Sequence, residues 1–374
     1  MRPATAAELA ASLRQADSSE QPIRLGGSFS KDLMDGDRPA QAGVCISTSA
    51  LNCVLQYEPR DLTIRVEAGM LWSDLSETLR KNGQMIPLDP PFLAKATVGG
   101  VLATNASGPR RRLFGTARDH VIGMEFATLE GKLVRSGGMV VKNVAGLDMA
   151  KLMIGSFGTL AAIVSANFRL TPIPEQSRTW ILRTDSPLLA AQACSELRRS
   201  VLQPSALDLV SPSAADRLGL RGWCVLIEAG GIPAVLSRWA RDLASNPILS
   251  QATTLSESDA SRMWSDIREF IPGFVSENPG GAVVRITTAL AGITDAVQRY
   301  PDAAVLCRAG SGITYCCLDA PETLQRSSDT ISEFGPAASR DVDIMPAAFG
   351  VMKEIKALFD PKGNLNRGRL YGRI

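Results

Sequence analysis

KATVGGVLATNASGPRRRLFGTARDHVIG, residues Lys95–Gly123, decides how the rest of the chain is read. Its paired glycines, small residues and short polar side chains follow neither the 3.6-residue period of a helix nor the alternation of a strand. The stretch therefore reads as loop held close to another group. A second run, GGMVVKNVAGLDMAKLMIGSFG at residues 137–158, repeats the texture. Successive N–H groups in a glycine-rich turn form a concave anion site that side chains would block, and a pyrophosphate suits such backbone. The sequence holds no G-x-x-x-x-G-K-[ST] and no G-x-G-x-x-G between a strand and a helix, so any phosphate site here has another loop design.

Upstream, Leu9 and Leu13 stand one turn apart in a short helix over residues 5–16. Ile23–Leu25 reads as a brief strand, after which Gly26, Gly27 and Ser28 turn the chain, either as an ordinary turn or as a second anion loop. Val54–Glu58 and Leu62–Glu67 read as strands joined by Pro59-Arg60-Asp61, with Leu62, Ile64 and Val66 alternating. Trp72, Leu75 and Leu79 mark a helix that stops at Asn82-Gly83.

Downstream, Met124–Leu129 and Lys132–Val134 form an expected hairpin with Glu130-Gly131 at its turn. A helix over Leu147–Ile154 closes at Gly155, Leu160–Leu170 is strand-like, and Pro172 and Pro174 mark a domain boundary. Beyond it, strands at Trp180–Arg183, Cys224–Glu228, Ala282–Thr287 and Ile313–Leu318 alternate with helices near 187–200, 233–244 and 258–270. That is the pattern of an α+β domain with a largely antiparallel sheet. At the end, Val351, Ile355 and Leu358 define one face of a helix that stops before FDPKGNLNRGRLYGRI.

Bulk composition excludes several classes. With 374 residues the chain has room for two or three domains. Forty basic residues against thirty-eight acidic ones give a net charge of +2, which argues against nucleic-acid capture. The seven cysteines have no metal-binding spacing, and reduced thiols in a cytoplasmic protein are the expectation. No apolar run approaches the roughly 20 residues of a membrane span, so direct membrane insertion is not expected. His120 is the only histidine, which removes every mechanism that needs two.

Taken together, TVGG, NASGPRR, GTARDHVIG and VKNVAGLDMAKLMIGSFGTL resemble the flavin-binding domain of the vanillyl-alcohol-oxidase and p-cresol-methylhydroxylase (PCMH) superfamily, over roughly residues 20–172. With FDPKGNLNRGRLY added, the chain resembles the FAD-binding subunits of multi-subunit glycolate oxidases. The resemblance implies an α+β fold: a two-subdomain PCMH-type FAD-binding domain over 1–172 (subdomains about 1–83 and 84–172), an α+β cap over 175–330, and a segment over 331–374 returning to the FAD domain. It implies FAD as cofactor, with Gly26, Gly27, Ser28, Phe29 and Ser30 as a first phosphate loop and Thr97, Val98, Gly99 and Gly100 as a second. Asn105, Ala106, Ser107 and Gly108 would run beside the isoalloxazine. Arg118, Asp119 and Val121 would lie along the cofactor, and Gly158, Thr159, Ile163 and Val164 near its adenine end.

Three departures from the family pattern bear on chemistry. Neither the first loop nor the glycine-rich segments offer the His or Cys that tethers FAD in many relatives, so the FAD is expected to be non-covalent. Leu147 replaces a family tyrosine, and Arg367 stands where an N-P-G-[RK] tail has proline. Hydroxy-acid dehydrogenases of the superfamily use a His-bound metal and a second His, which one histidine cannot provide. Arg285 and Arg308 remain as carboxylate clamps or as surface salt-bridge residues, and Arg110, Arg111 and Arg112 as phosphate ligands or, in preference, as a solvated or partner-facing patch.

The expected function is the FAD-binding subunit of a glycolate oxidase complex that turns glycolate, or a similar 2-hydroxy acid, into its oxo acid. Its expected partners are a related catalytic flavoprotein subunit and an iron–sulfur subunit, through which membrane association would arise, while this chain's flavin accepts or relays electrons. A self-sufficient 2-hydroxy-acid dehydrogenase and a flavin-fold scaffold without redox role are the alternatives.

Overall fold

The computed structural model describes residues 1–34, 43–139, 148–320, 329–335, 347–370 and 374. Leu147, placed by the sequence in a helix, lies outside them with the KNVAG run. The described residues of 1–107, 115–173 and 340–374 form one compact unit, and those of 108–114 and 174–339 form another.

In the first unit, the helix Ala6–Ser18 starts at Thr5, whose hydroxyl accepts from the Glu8 N–H. Its Leu9 and Leu13 are fully buried with Ile23, Ile46 and Leu365. Ile23 and Ile46 come from β1 (Ile23–Gly26) and β2 (Val44–Ser47), which pair in parallel. The chain's end joins them: Ile23 N–H donates to the Asn364 carbonyl at 2.8 Å, and Asn366 N–H donates to the Ile23 carbonyl at 2.8 Å.

A second core lies on the sheet built from β3 (Val54–Glu58), β4 (Thr63–Glu67), β6 (Val121–Ala127), β7 (Leu133–Gly137) and β8 (Ala162–Arg169). Its order is β3-β4-β8-β6-β7, every neighbour antiparallel. Two short strands, β5 (Gln84–Met85) and β9 (Thr171–Pro172), pair beside it. Ile64 and Val66 are buried as their alternation demands, but Leu62 is no strand residue: it caps the Pro59–Asp61 turn at φ +54. Trp72, Leu75 and Leu79 point from the helix Trp72–Arg80 into this core, as their spacing predicts. The hairpin turns at Gly131, φ +80, where left-handed backbone favours glycine.

The second unit is one antiparallel sheet of β10 (Gln176–Thr184), β11 (Ala206–Val210), β12 (Trp223–Gly231), β13 (Thr253–Thr254), β14 (Ala282–Thr287), β15 (Ala304–Arg308), β16 (Ile313–Leu318) and β17 (Thr330–Phe334). The order is β13-β10-β12-β11-β15-β16-β14-β17. Helices Pro187–Arg199 and Pro233–Ser245 pack on one face, where Trp180 and Trp239 stack with centroids 5.7 Å apart. Sequence patterning misses β11 and β15, which are buried at every position and so show no alternation. It also ends this unit at 330, whereas β17 continues the pairing to Phe334. The helix expected over 258–270 runs as Glu257–Glu277, with Pro272 inside it.

The terminal helix, Phe349–Phe359, keeps only part of its expected face: Ile355 packs against the second core, with Phe359 beside it. Val351 is 56% exposed and Leu358 81% exposed, while Lys356 is buried at 8%. Its Nζ donates to the carbonyls of Thr159 and Leu365, both at 2.8 Å, and to Asp360 Oδ2 at 2.6 Å. Three oxygens satisfy the ammonium, and so a charged side chain is buried in place of two apolar ones.

Candidate functional site

Where β1 ends, the chain turns through Gly27, Ser28, Phe29 and Ser30 to line one side of a groove in the first unit. Thr48 N–H donates to the Gly26 carbonyl at 2.9 Å, and Ser47 Oγ donates to the Gly27 carbonyl at 2.7 Å. A trans peptide sets its N–H opposite its C=O, so the amides of Gly27 and Ser28 face away from Ser47 and Thr48. Ser28 Oγ donates to the Lys95 carbonyl and ties this loop to the segment before the next one.

Thr97, Gly99, Gly100, Ala103 and Thr104 supply a second side, from the helix Val98–Ala103. Its first amides already have partners within the protein. Val98 N–H donates to the Met70 carbonyl at 2.9 Å and Gly99 N–H to the Ala68 carbonyl at 2.7 Å. Gly100 N–H donates to Thr97 Oγ1 at 3.3 Å. This helix start therefore offers a close-packing surface rather than the anion-facing amides expected of the second loop. Glycine is required here by neighbours: a Cβ on Gly99 would come 2.9 Å from Ala68 Cβ, and one on Gly27 would collide with Thr97 Oγ1.

Phe157, Gly158, Ala161 and Ile163 form a third side, with Gly158 at φ +67. The chain's end supplies Asn366 and Arg369. Arg369 Nη1 donates to the carbonyls of Asp32 at 2.8 Å and Met34 at 2.7 Å, and Nη2 to Asp32 Oδ1 at 3.1 Å. Arg24 pairs with the same carboxylate at 2.5 Å and lies 4.4 Å from the centre of the Phe29 ring. Lys31 also lines the groove, its Nζ 5.6 Å from the Phe92 ring centre. Among the described residues, Arg24 and Arg369 thus share the Asp32 carboxylate.

Of the residues expected at a cofactor, Gly26, Gly27, Ser28, Phe29, Ser30, Thr97, Gly99, Gly100, Gly158 and Ile163 come together here. Val98 is fully buried in the core below, and Val164 packs in the cluster around β1. Thr159 is bound into a turn, its Oγ1 donating to the Ser156 carbonyl at 2.7 Å. Asn105, Ala106, Ser107 and Gly108 lie outside the groove's lining. Asn105 has φ +47, and its Oδ1 is buried without a hydrogen-bond partner among the described residues.

Arg118, Asp119 and Val121 are likewise elsewhere. Arg118 donates to the Lys151 carbonyl at 2.7 Å, and Asp119 accepts from the Thr116 N–H at 2.7 Å, which holds its carboxyl below the usual range. His120 is buried at 3% exposure where the short helix Ala117–His120 meets β6, a structural position. Lys31 and Thr48, which stand in no motif, also line the groove, as does Phe157, for which the GSFGTL run is the available signal. Sequence reading leaves Asn366 and Arg369 unassigned, although the FDPKGNLNRGRLY tail is the available signal.

In the second unit, Arg308 on β15 donates to Asp208 Oδ2, and both side chains are buried. Arg308 is thus committed to an internal ion pair, not free to clamp a ligand. Arg285 on β14 sits in register with Tyr315 on β16, whose hydroxyl burial pushes up to about 12. Arg110, Arg111 and Arg112, the expected patch, are each half-buried. Arg110 grips Glu228 through Nε and Nη2, each at 3.1 Å, and Arg112 donates to Gln203 Oε1 at 3.3 Å. Among the described residues no cluster of His, Cys, Asp and Glu could hold a metal ion, and no helix is long and apolar enough to cross a membrane.

The glycine-lined groove beside a parallel strand pair, together with the antiparallel second unit, defines a class, and comparison with known proteins agrees with it. Residues 1–137 match the FAD binding domain family and residues 343–370 the C-terminal domain of FAD linked oxidases. These matches make the chain an FAD-linked oxidoreductase, and its cofactor is FAD. It is 24% identical to glycolate oxidase subunit GlcD of Bacillus subtilis, over 91% of this chain and 82% of that one. It is 35% identical to glycolate oxidase subunit GlcE of Escherichia coli, over 51% of this chain and 53% of that one. Among solved structures, 4-ethylphenol oxidase from Gulosibacter chungangensis superposes with a TM-score of 0.73 at 16% identity, covering 100% of this chain and 88% of that one. Alkyldihydroxyacetonephosphate synthase gives 0.70 at 17% identity, covering 98% and 75%. At such identities the structural likeness speaks for the fold alone.

Proposed function

We propose that this chain is the FAD-binding subunit of a glycolate-oxidase-type assembly that oxidises glycolate or a similar 2-hydroxy acid. Bound FAD would supply the two-electron acceptor, and the chain's own residues hold it. The amides of Gly27 and Ser28 meet the diphosphate, Lys31 and Arg369 balance its charge, and Thr97, Gly99, Gly100 and Gly158 let it approach the backbone. The FAD is non-covalent, since the groove's lining contains neither His nor Cys. The second unit is the cap. The partners are a catalytic flavoprotein subunit and an iron–sulfur subunit, in the cytoplasm or at a membrane through those partners.

The carrying observation is the contrast between a built, glycine-lined groove and a single histidine buried in the core. The chain has the means to hold a flavin, while the imidazole base and metal ligands of a hydroxy-acid site are missing from its sequence. Purified chain should release its flavin on acid precipitation. Under anaerobic glycolate its flavin should bleach only when the catalytic partner is added. Rapid full bleaching of the chain alone would sink the subunit reading and favour a self-sufficient dehydrogenase, with Arg285 rather than the committed Arg308 as carboxylate clamp. Loss of that turnover in Arg285→Ala would then assign the clamp.

A further inference from the structure

Among the described residues of the chain's end, Asn366 is the one whose side chain reaches two of the groove's loops. Its Oδ1 accepts from the Leu25 N–H at 2.8 Å, and its Nδ2 donates to the Leu25 carbonyl at 3.0 Å. The same Nδ2 donates to the Phe157 carbonyl at 2.9 Å and lies 3.3 Å from the Gly158 carbonyl. One amide thus spans from the residue before the Gly26-Gly27 turn to the Phe157-Gly158 turn, the first and third sides of the groove. The contact is close enough that a Cβ on Gly158 would lie 2.8 Å from that Nδ2.

Asn366 is held in place from behind. Its φ of +46 is a conformation that asparagine tolerates better than most residues. Lys356 fixes the preceding carbonyl, that of Leu365, and Asp360 accepts from the amides of Asn364 at 3.0 Å and Leu365 at 2.8 Å. The Lys356–Asp360 pair therefore sets the tail, and the tail sets Asn366.

We propose that Asn366 is a positioning residue for FAD: it clasps the Leu25 and Phe157-Gly158 backbones at the spacing FAD requires, so that tail docking and FAD binding are coupled. The inference rests on reading the groove as the FAD site. Coupling is reciprocal, so FAD must hold the tail down as firmly as the tail holds FAD.

The test uses the full chain stripped of flavin. FAD affinity is read from quenching of flavin fluorescence, and tail docking from the rate of tryptic cleavage after Lys362 and Arg367, both exposed. Asn366→Ala should weaken FAD at least tenfold, and FAD should slow tail cleavage in the parent chain but not in the variant. Asn366→Asp keeps the size and the acceptor but loses the Nδ2 donor, and it should fall between the two, which guards against a variant that fails to fold. Lys362→Ala removes a tail contact away from the groove, the 2.9 Å bond from Lys362 Nζ to the Asp17 carbonyl, and should leave FAD affinity unchanged. A purely structural role lowers the thermal stability of the flavin-free protein but leaves the dissociation constant alone. FAD affinity within twofold of the parent in both Asn366 variants overturns the clasp while the FAD site stands. A chain that takes up no FAD overturns both.

Discussion

At Gly27 a single methyl group would strike Thr97 Oγ1, and the loop cannot retreat because Ser47 and Thr48 hold the carbonyls of Gly27 and Gly26. Gly27→Ala should therefore destabilise the chain by about 1–3 kcal/mol, the usual cost of forcing an extra carbon into close packing. Urea unfolding of the flavin-free protein measures it. A second residue-scale consequence follows from Arg308 and Asp208. With both buried, Asp208→Ala leaves an uncompensated guanidinium, at a cost of about 3–5 kcal/mol. Replacing the pair together with Arg308→Met and Asp208→Leu should restore most of that loss, read in the same unfolding experiment. These two sites divide the candidate residues by legibility. The glycines were visible in the sequence because loops of that composition are rare in regular elements. The fate of Arg308 was not, because only the register of β11 on β15 sets an aspartate across from it.

At the scale of elements, the helix Phe349–Phe359 shows where pattern reading fails. Its apolar residues at i, i+4 and i+7 announce a buried face, yet only Ile355 of the three packs inward, while Val351 and Leu358 point outward and Lys356 points in. Periodicity counts side chains by hydrophobicity and cannot see the three oxygens that make a buried ammonium acceptable. The expected outcome inverts common intuition. Leu358→Lys should change stability by no more than about 0.5 kcal/mol, while Lys356→Met, which takes the ammonium from buried Asp360 and leaves that carboxylate only the Asn364 and Leu365 amides, should cost about 3–5 kcal/mol. Chemical denaturation of the two variants side by side checks both. Elsewhere the elements were readable where one face is wet: Trp72–Arg80, the strand pair at 54–67 and the hairpin at Gly131 fall close to their expected limits. β11 and β15, buried on both faces, gave no alternation to read.

For the molecule as a whole, hydrophobic clusters among the described residues respect the division into two units: one belongs to 174–339 and two to the flavin unit. FAD should accordingly raise only the melting transition of the flavin unit, by about 2.7 kcal/mol at a hundredfold excess over its dissociation constant, as calorimetry with and without FAD would show. The antiparallel unit also holds most of the cysteines. Burial pushes Cys307 and Cys316 up to about 12, and Cys194, Cys224 and Cys317 upward too, while Cys45 and Cys53 are exposed. Native chain should therefore show two reactive thiols, and seven once unfolded. The sign of the pH dependence follows. Folding keeps these thiols protonated, so their contribution is intact below the unfolded value near 9 and is lost as pH climbs toward 12. The urea midpoint should hold up to about pH 8.5 and fall steadily above about pH 9.

The parallel pair β1 and β2 gains its neighbour from Asn364–Asn366, more than three hundred residues later in the chain. Because ribosomes make the N-terminal strand first, that neighbour does not exist until more than three hundred further residues have been added. Until then the groove lacks the side that Asn366 and Arg369 supply, so a shorter nascent chain cannot present the complete lining.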